Sequence, residues 1–447
     1  MLLSNPRFHT GNLWYNPTVN IVQLTPGAAG MYCGGCMRDN ALVAALRRNG
    51  HDALLIPLYT PLKTDEPDNS HERIFFGGIN VFLQQKSSIF RKTPEWLDRR
   101  LDQPGLLSWA AGFGVKTRAE DIADLMVSML KGEEGNQAKE LTKLTAFLTD
   151  GHKADAICLS NVLLAGMAKS LRDKLHVPIL CTLQGEDTYL DTLPEPQRSQ
   201  SWDLLKKTVA QIDGFIAVSG YYGDVMKRRL EIPDSKMHVI HNGIELAGYA
   251  AAPNAPAVPT VGYFARIGPE KGLRTLANAF ELLATRGKIK DVRLRVGGGL
   301  SPNDEKFVSE LRAKFDAVKL GGRVDFVPNV SRDDKVKFLQ SLSVMSVPAT
   351  YGESFGLYVI EAMACGVPVV QPEHAAFPEL LVATGGGILC RPDDAPDLAA
   401  KLEELLLDEP RRAALGNAGR QSIVDRFNID RVANDVVNVV SEFSTRK

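Results

Sequence analysis

Short β-rich runs alternate with helical patterns along most of the chain, and they do so in two series. The first comprises Ile21-Val22-Gln23-Leu24, Ala53-Leu54-Leu55-Ile56, Ala156-Ile157-Cys158-Leu159, Pro178-Ile179-Leu180-Cys181 and Phe215-Ile216-Ala217-Val218. After an Ala/Pro-rich stretch at 249–259 the pattern restarts, with runs at 260–263, 292–296, 324–327, 344–347, 367–370 and 387–389. Near-continuous apolar strands separated by helices fit a parallel sheet, since parallel strands are buried on both faces and need a crossover between them. A chain of 447 residues also exceeds what one core usually organises. The pattern therefore predicts an α/β chain with two Rossmann-like doubly wound parallel-sheet domains, at 18–250 and 257–427.

Two segments fall outside this alternation. Between Gly78 and Asp150 the β signals stop, while Thr117–Leu130 and Ala138–Leu148 carry apolar residues at helical spacing. This predicts a helical insertion over about 88–150 in the first domain. The terminal run Val432-Ala433-Asn434-Asp435-Val436-Val437-Asn438-Val439-Val440 predicts a helix within 428–447. Its apolar face needs a partner, and the expectation is that it packs back on the N-terminal domain.

The formal charge is −1 without a long run of one sign, which leaves no electrostatic case for a nucleic-acid partner. No apolar stretch has the length of a membrane span, and the opening Met1–Pro6 lacks the form of a signal peptide. A cytoplasmic location is expected, with peripheral contact at the inner face of the cell membrane left open. Six cysteines are too few for a secreted disulfide scaffold of this size.

Chemistry concentrates at the predicted ends of strands. In the stretch from Tyr351 to Val370, the run 344–347 ends in Pro348, a Gly-containing loop follows, and a helix begins near Gly356. A helix N-terminus at the carboxyl end of a parallel strand offers unpaired N–H groups to a phosphate or sugar oxygen. Glu353 precedes that helix and Glu361 lies inside it, so one can face the mouth of a cleft while the other reaches a ligand along the helix. Arg266 and Lys271 flank the turn Gly268-Pro269, where two cations could clamp a diphosphate. Gly297-Gly298-Gly299 forms a third loop of this kind, with Gly298 at its centre.

In the first domain, Cys33-Gly34-Gly35-Cys36 follows the first strand and precedes a helix over 38–49. A redox pair and half of a metal site are open readings of it. The favoured one is a glycine loop in which Gly34 and Gly35 let the backbone approach a bound phosphate. A zinc site would want a second Cys or Cys/His cluster nearby, which the sequence lacks.

Taken together, Arg266, Lys271, Glu353, Glu361 and the block Gly366-Val367-Pro368-Val369-Val370 resemble the family 4 retaining glycosyltransferases of the GT-B fold. The resemblance runs from about residue 20 to the C-terminus, excepting parts of 60–150. It implies two domains facing each other across a cleft, a nucleotide-diphosphate sugar as donor substrate, no obligatory cofactor and no metal. Arg266 and Lys271 would hold the donor diphosphate, Glu361 the ribose hydroxyls, and Glu353 the donor sugar together with the backbone of Ser354, Phe355, Gly356 and Leu357.

The chain departs from the family pattern at Leu180–Asp187, where Gln184 stands in place of a His. Gln184 can donate a hydrogen bond but cannot carry a positive charge. Glu186 and Asp187 are acceptor-side candidates, as is Trp109 in the insertion, for a carbohydrate, lipid or small-molecule acceptor. The alternatives are a catalytically inert sugar-nucleotide-binding protein and a Cys33/Cys36 redox protein.

Overall fold

The computed structural model describes residues 18–27, 34–87, 90–93 and 119–444. Its strands are β1 (Asn20–Thr25), β2 (Asp52–Pro57), β3 (Ala156–Leu159), β4 (Ile179–Leu183), β5 (Gly214–Ala217) and β6 (Met237–Val239) in the first lobe. The second lobe holds β7 (Thr260–Phe264), β8 (Arg293–Gly298), β9 (Val324–Pro328), β10 (Val344–Met345), β11 (Val369–Pro372) and β12 (Gly387–Cys390). They form two six-stranded sheets, ordered β2-β1-β3-β4-β5-β6 and β12-β11-β10-β7-β8-β9. Every pairing within them is parallel.

The alternation read from the sequence thus becomes two doubly wound sheets. β6 joins the first sheet although its burial pattern is largely half-exposed, which is why no apolar run marks it. Helices Ala119–Leu130 and Ala138–Gly151 lie in the predicted insertion.

Strand order fixes where ligands can go. In each sheet the connections reverse direction at one point, between β1 and β3 in the first and between β7 and β10 in the second. Crevices at the carboxyl ends of such strands are the binding places of open α/β sheets. β1 leads to helix Gly34–Arg48, β7 to Arg266 and Lys271, and β10 to the loop carrying Glu353. Gly34, Gly35, Arg266, Lys271 and Glu353 therefore sit at the two switch points.

The chain crosses between the lobes twice. Ile244 bridges Asn428, and helix Ile429–Ser444 then packs on the first lobe. Its buried face (Ile429, Val432, Ala433, Val436, Val437, Val440) recurs at three- and four-residue spacing and joins Val19, Ile21, Leu42, Val43 and Leu46 in one apolar cluster. Arg48 reaches Asp430 at 2.6 Å along its edge. The predicted terminal helix finds its partner in helix Gly34–Arg48, so Ile429–Ser444 covers β1 and that helix.

Val437 is fully buried in this cluster. Val437→Asp places an unpaired carboxylate there and is expected to lower unfolding stability by about 3–5 kcal/mol. Denaturant titration followed by circular dichroism checks this, with Asn438→Asp on the exposed side of the same helix as the neutral control.

Candidate active site

Lys271 and Glu353 meet in a recess of the second lobe. The Lys271 ammonium donates to Glu353 Oε2 at 2.7 Å, and both side chains are largely buried. Tyr351 and Tyr358 donate to the same oxygen at 2.7 and 2.8 Å. The ammonium also bonds the Tyr351 hydroxyl and lies 4.8 Å from the Tyr351 ring and 5.3 Å from that of Tyr358. A cation over aromatic faces is held electrostatically as well as by hydrogen bonds. Burial alone would raise the Glu353 pKa, but the Lys271 charge and the two phenols outweigh it and hold the carboxyl below its ordinary value. Glu353 therefore acts first on Lys271. Arg266, more exposed, pairs with Glu270 four residues on in the same turn.

The loop 351–356 ends at helix Leu357–Ala364, whose N-cap is Gly356 at φ 92° with no side-chain cap. The helix has no acidic residue in its first turn, and neither has helix Gly34–Arg48. Neither helix thus supplies a carboxylate of its own to its N-terminal N–H groups and positive dipole end. The two ends approach each other, since a Cβ on Gly34 would lie 3.5 Å from Leu357 Cδ1. The Cys-Gly-Gly-Cys stretch differs from expectation here: Gly34 and Gly35 form the first turn of the helix rather than a loop before it. The absent side chain of Gly35 makes room for Gln184, whose Nε2 would lie 2.9 Å from a Cβ there.

Contacts across the lobes cluster at the same place. Ser219 Oγ donates to the Ser354 carbonyl at 2.6 Å, and Ser354 Oγ donates to the Gln184 carbonyl at 3.0 Å. Glu379 of the second lobe accepts from the Gly220 and Tyr221 amides at 2.8 and 2.9 Å, at the start of helix Gly220–Leu230. His241 lies 2.7 Å from Glu379, and its ring stacks on Phe427 and tilts against buried Phe355.

Several candidates take different parts from those expected. The Gln184 side-chain amide donates to the Ser160 carbonyl at 2.7 Å, so its donor supports the β3 loop. Glu186 accepts from the amides of Val162, Gln184 and Gly185 and from the Tyr222 hydroxyl. That carboxylate shapes the turn at 184–187 and is buried, whereas Asp187 shares Tyr222 and stays half-exposed. Gly298, at φ 120°, is required by packing, because a Cβ would meet the Ala265 carbonyl oxygen at 1.8 Å. The neighbouring Gly299 is the one that faces open space. Trp109 and Cys33 lie outside the described residues. Cys36 is buried and takes a hydrogen bond from Thr25 Oγ at 3.7 Å. Burial pushes the Cys158 thiol up to about 12.

Glu361 is brought to the site by helix Leu357–Ala364, but it arrives already partnered. Its Oε1 accepts from Lys335 Nζ and from Tyr249 Oη, each at 2.8 Å. Lys335, Tyr249, Tyr358 and Glu379 were not singled out from the sequence. Tyr351 and Tyr358 stand within the stretch that carries Glu353 and could have been found by their proximity to it. The other three depend on long-range packing.

The description "Glycosyl transferases group 1" matches residues 252–422, and "Glycosyltransferase Family 4" matches residues 134–247. The chain belongs to the family 4, group 1 glycosyltransferases. Among its relatives, "D-inositol 3-phosphate glycosyltransferase" of Mycobacterium sp. (strain KMS) is 33% identical over 41% of this chain and 43% of its own length. "Phosphatidyl-myo-inositol mannosyltransferase" of Mycolicibacterium smegmatis is 32% identical over 60% of this chain and 66% of its own. The matched region thus spans less than half of the first of these relatives. Sucrose-phosphate synthase from Thermosynechococcus elongatus shares the fold with a TM-score of 0.70, at 18% identity over 96% of this chain and all of that one. Anabaena HepE in complex with UDP does so with a TM-score of 0.66, at 17% identity over 95% of this chain and all of that one. The fold is GT-B. Neither a binding-only role nor a redox role is favoured by this family membership.

The depressed Glu353 pKa gives a pH test. A carboxyl held below its unfolded value of 4.5 contributes stability that is present above that value and lost as pH falls through the folded one. The melting temperature of the wild type should therefore exceed that of Glu353→Gln by a constant margin above about pH 5.5, and the margin should shrink as pH drops below about 4.5. A margin independent of pH would contradict the pairing with Lys271.

Proposed function

We propose that this protein transfers a sugar from a nucleotide-diphosphate sugar to an acceptor hydroxyl, with retention at the anomeric carbon and without an obligatory metal. The observation that carries the reading is the approach of two helix N-termini without an acidic first turn, one from each lobe, beside the Lys271–Glu353 pair. Such a cradle suits an anion with oxygens on both sides, as a diphosphate has. Lys271 is the fixed cation, aimed by Glu353 and the two tyrosines, and Arg266 at the mouth is the second. Donors already fixed in place stabilise developing charge without reorganising.

In the transfer, the bond from the anomeric carbon to the leaving phosphate oxygen breaks and the bond to the acceptor oxygen forms on the same face. The departing phosphate takes the acceptor proton, so no protein nucleophile is required. Glu353 serves chiefly to orient Lys271, and the backbone of Ser354–Leu357 faces the donor. Glu361 holds the ribose through its remaining oxygen. The relatives named for inositol phosphates and the UDP complex of HepE support a nucleoside diphosphate sugar and a polyol or carbohydrate acceptor. Among the described residues no helix is long and apolar enough to cross a membrane, and a lipid-linked acceptor would be met at the membrane surface.

Turnover assays with UDP-, GDP- and ADP-sugars, following nucleoside diphosphate release, test the reading. One donor is expected to turn over, activity should survive excess EDTA, and proton NMR should show the donor's anomeric configuration kept in the product. Lys271→Ala should lower kcat by about 10²–10³, the usual loss for one fixed electrostatic donor. Inversion in the product, or absence of turnover with every donor, would overturn it.

A further inference from the structure

Five polar side chains from three parts of the chain converge beside Glu361. Lys335, on helix Arg332–Gln340, is buried and donates to Glu361 Oε1 at 2.8 Å and to Asp65 Oδ2 at 2.9 Å. Asp65 belongs to the first lobe, in the segment after β2, and Glu361 to the second. Arg332, one helical turn earlier, reaches Glu66 at 2.6 Å and the carbonyls of Glu245 and Ala247 at 3.1 and 3.2 Å. Tyr249, in the segment between the lobes, donates to Glu361 Oε1 at 2.8 Å, with Lys335 Nζ 5.8 Å from its ring centre. One ammonium is thus shared by a carboxylate from each lobe.

The charges dictate what that sharing does. Without Lys335, two carboxylates of like sign would be left close together in a largely buried setting, and each would move away from the other. Burial disfavours the Lys335 charge, yet Glu361, Tyr249 and Asp65 overcome this and raise its pKa, so it stays an ammonium. Both donors to Glu361 converge on Oε1, and Oε2 makes no hydrogen bond among the described residues. Asp65 Oδ1 is also buried without one. The carboxylate of Glu361 is therefore pinned by one oxygen with the other left to accept.

We propose that Lys335 is the positioning residue that aims Glu361 at the nucleotide ribose, and that Asp65 makes this aim depend on the first lobe being docked. The proposal rests on the nucleotide-sugar reading above. It assigns Lys335 no contact with the substrate. Its effect passes through Glu361, so recognition of the ribose hydroxyls should suffer while recognition of the diphosphate does not.

The test is isothermal titration of the full chain with UDP, GDP or ADP, whichever the wild type binds best, and with the 2′,3′-dideoxy form of the same nucleotide. The wild type should prefer the ribonucleotide by at least about tenfold, as expected for hydroxyls bonded to a charged acceptor. In Lys335→Met the preference should collapse to less than about threefold while the dideoxy affinity is kept, the tenfold scale being that of one good polar contact. Glu361→Gln should give the same collapse, and the double variant no further loss. Lys335→Arg should restore part of the preference, and Asp65→Asn should lower it part-way.

A Lys335→Met protein that still prefers the ribonucleotide as the wild type does would overturn the proposal while leaving the nucleotide-sugar reading intact. So would equal losses for both nucleotides. If Lys335→Met does not fold, Lys335→Arg and Asp65→Asn decide, and wild-type preference in both overturns it. A wild type that binds no nucleoside diphosphate overturns the underlying reading instead.

Discussion

Two helices present like ends to each other where helix Gly34–Arg48 meets helix Leu357–Ala364, and contacts elsewhere must hold them in place. No acidic residue in either first turn relieves the repulsion. What opposes it is the seam around Ser354, the Glu379 carboxylate at the start of helix Gly220–Leu230, and the shared Lys335. The terminal helix adds apolar contact on the first lobe after the chain has returned from the second. The positive recess is thus maintained by polar contacts at its rim and by a covalent path that crosses between the lobes twice. An anion seated there would remove the repulsion rather than add a new contact to an already settled surface.

Lys271 shows how a charge is held inside such a recess. An isolated buried ammonium would be costly, and pairing with Glu353, whose same oxygen also accepts from Tyr351 and Tyr358, offsets the desolvation. The tyrosines also flank the cation with their ring faces. The result is a charge with a fixed direction, which matters more to a transition state than a mobile charge of the same size. Lys335 repeats the arrangement one helix away, with Tyr249 in the role of the phenol and Glu361 in that of the carboxylate.

Most of the fold was legible in the sequence because parallel strands buried on both faces leave long apolar runs. β6 escaped because it lies at the edge of its sheet, with no buried residue to mark it. At the site, Lys271, Glu353 and Glu361 were legible because they lie beside the turns and helix starts that Gly and Pro announce. Glu186 shows the limit of such signals: a carboxylate at a helix start reads as available, whereas three amides and a phenol already use it. At Gly298 the sequence shows only a glycine loop, and the close approach of the Ala265 backbone that requires the glycine appears only in the fold.

The sequence by itself determined the two sheets, the punctuation at their carboxyl ends and the amphipathic terminal helix, since all three follow from periodicity within a few residues. Tertiary structure alone decided which charges would be neighbours. Asp65 and Lys335 are 270 positions apart, and Ser219 and Ser354 are separated by 135. No local pattern encodes such pairs. They arise when the sheets pack and the chain passes twice between the lobes, because a hydrogen bond or an ion pair depends on distance in space and carries no period along the chain.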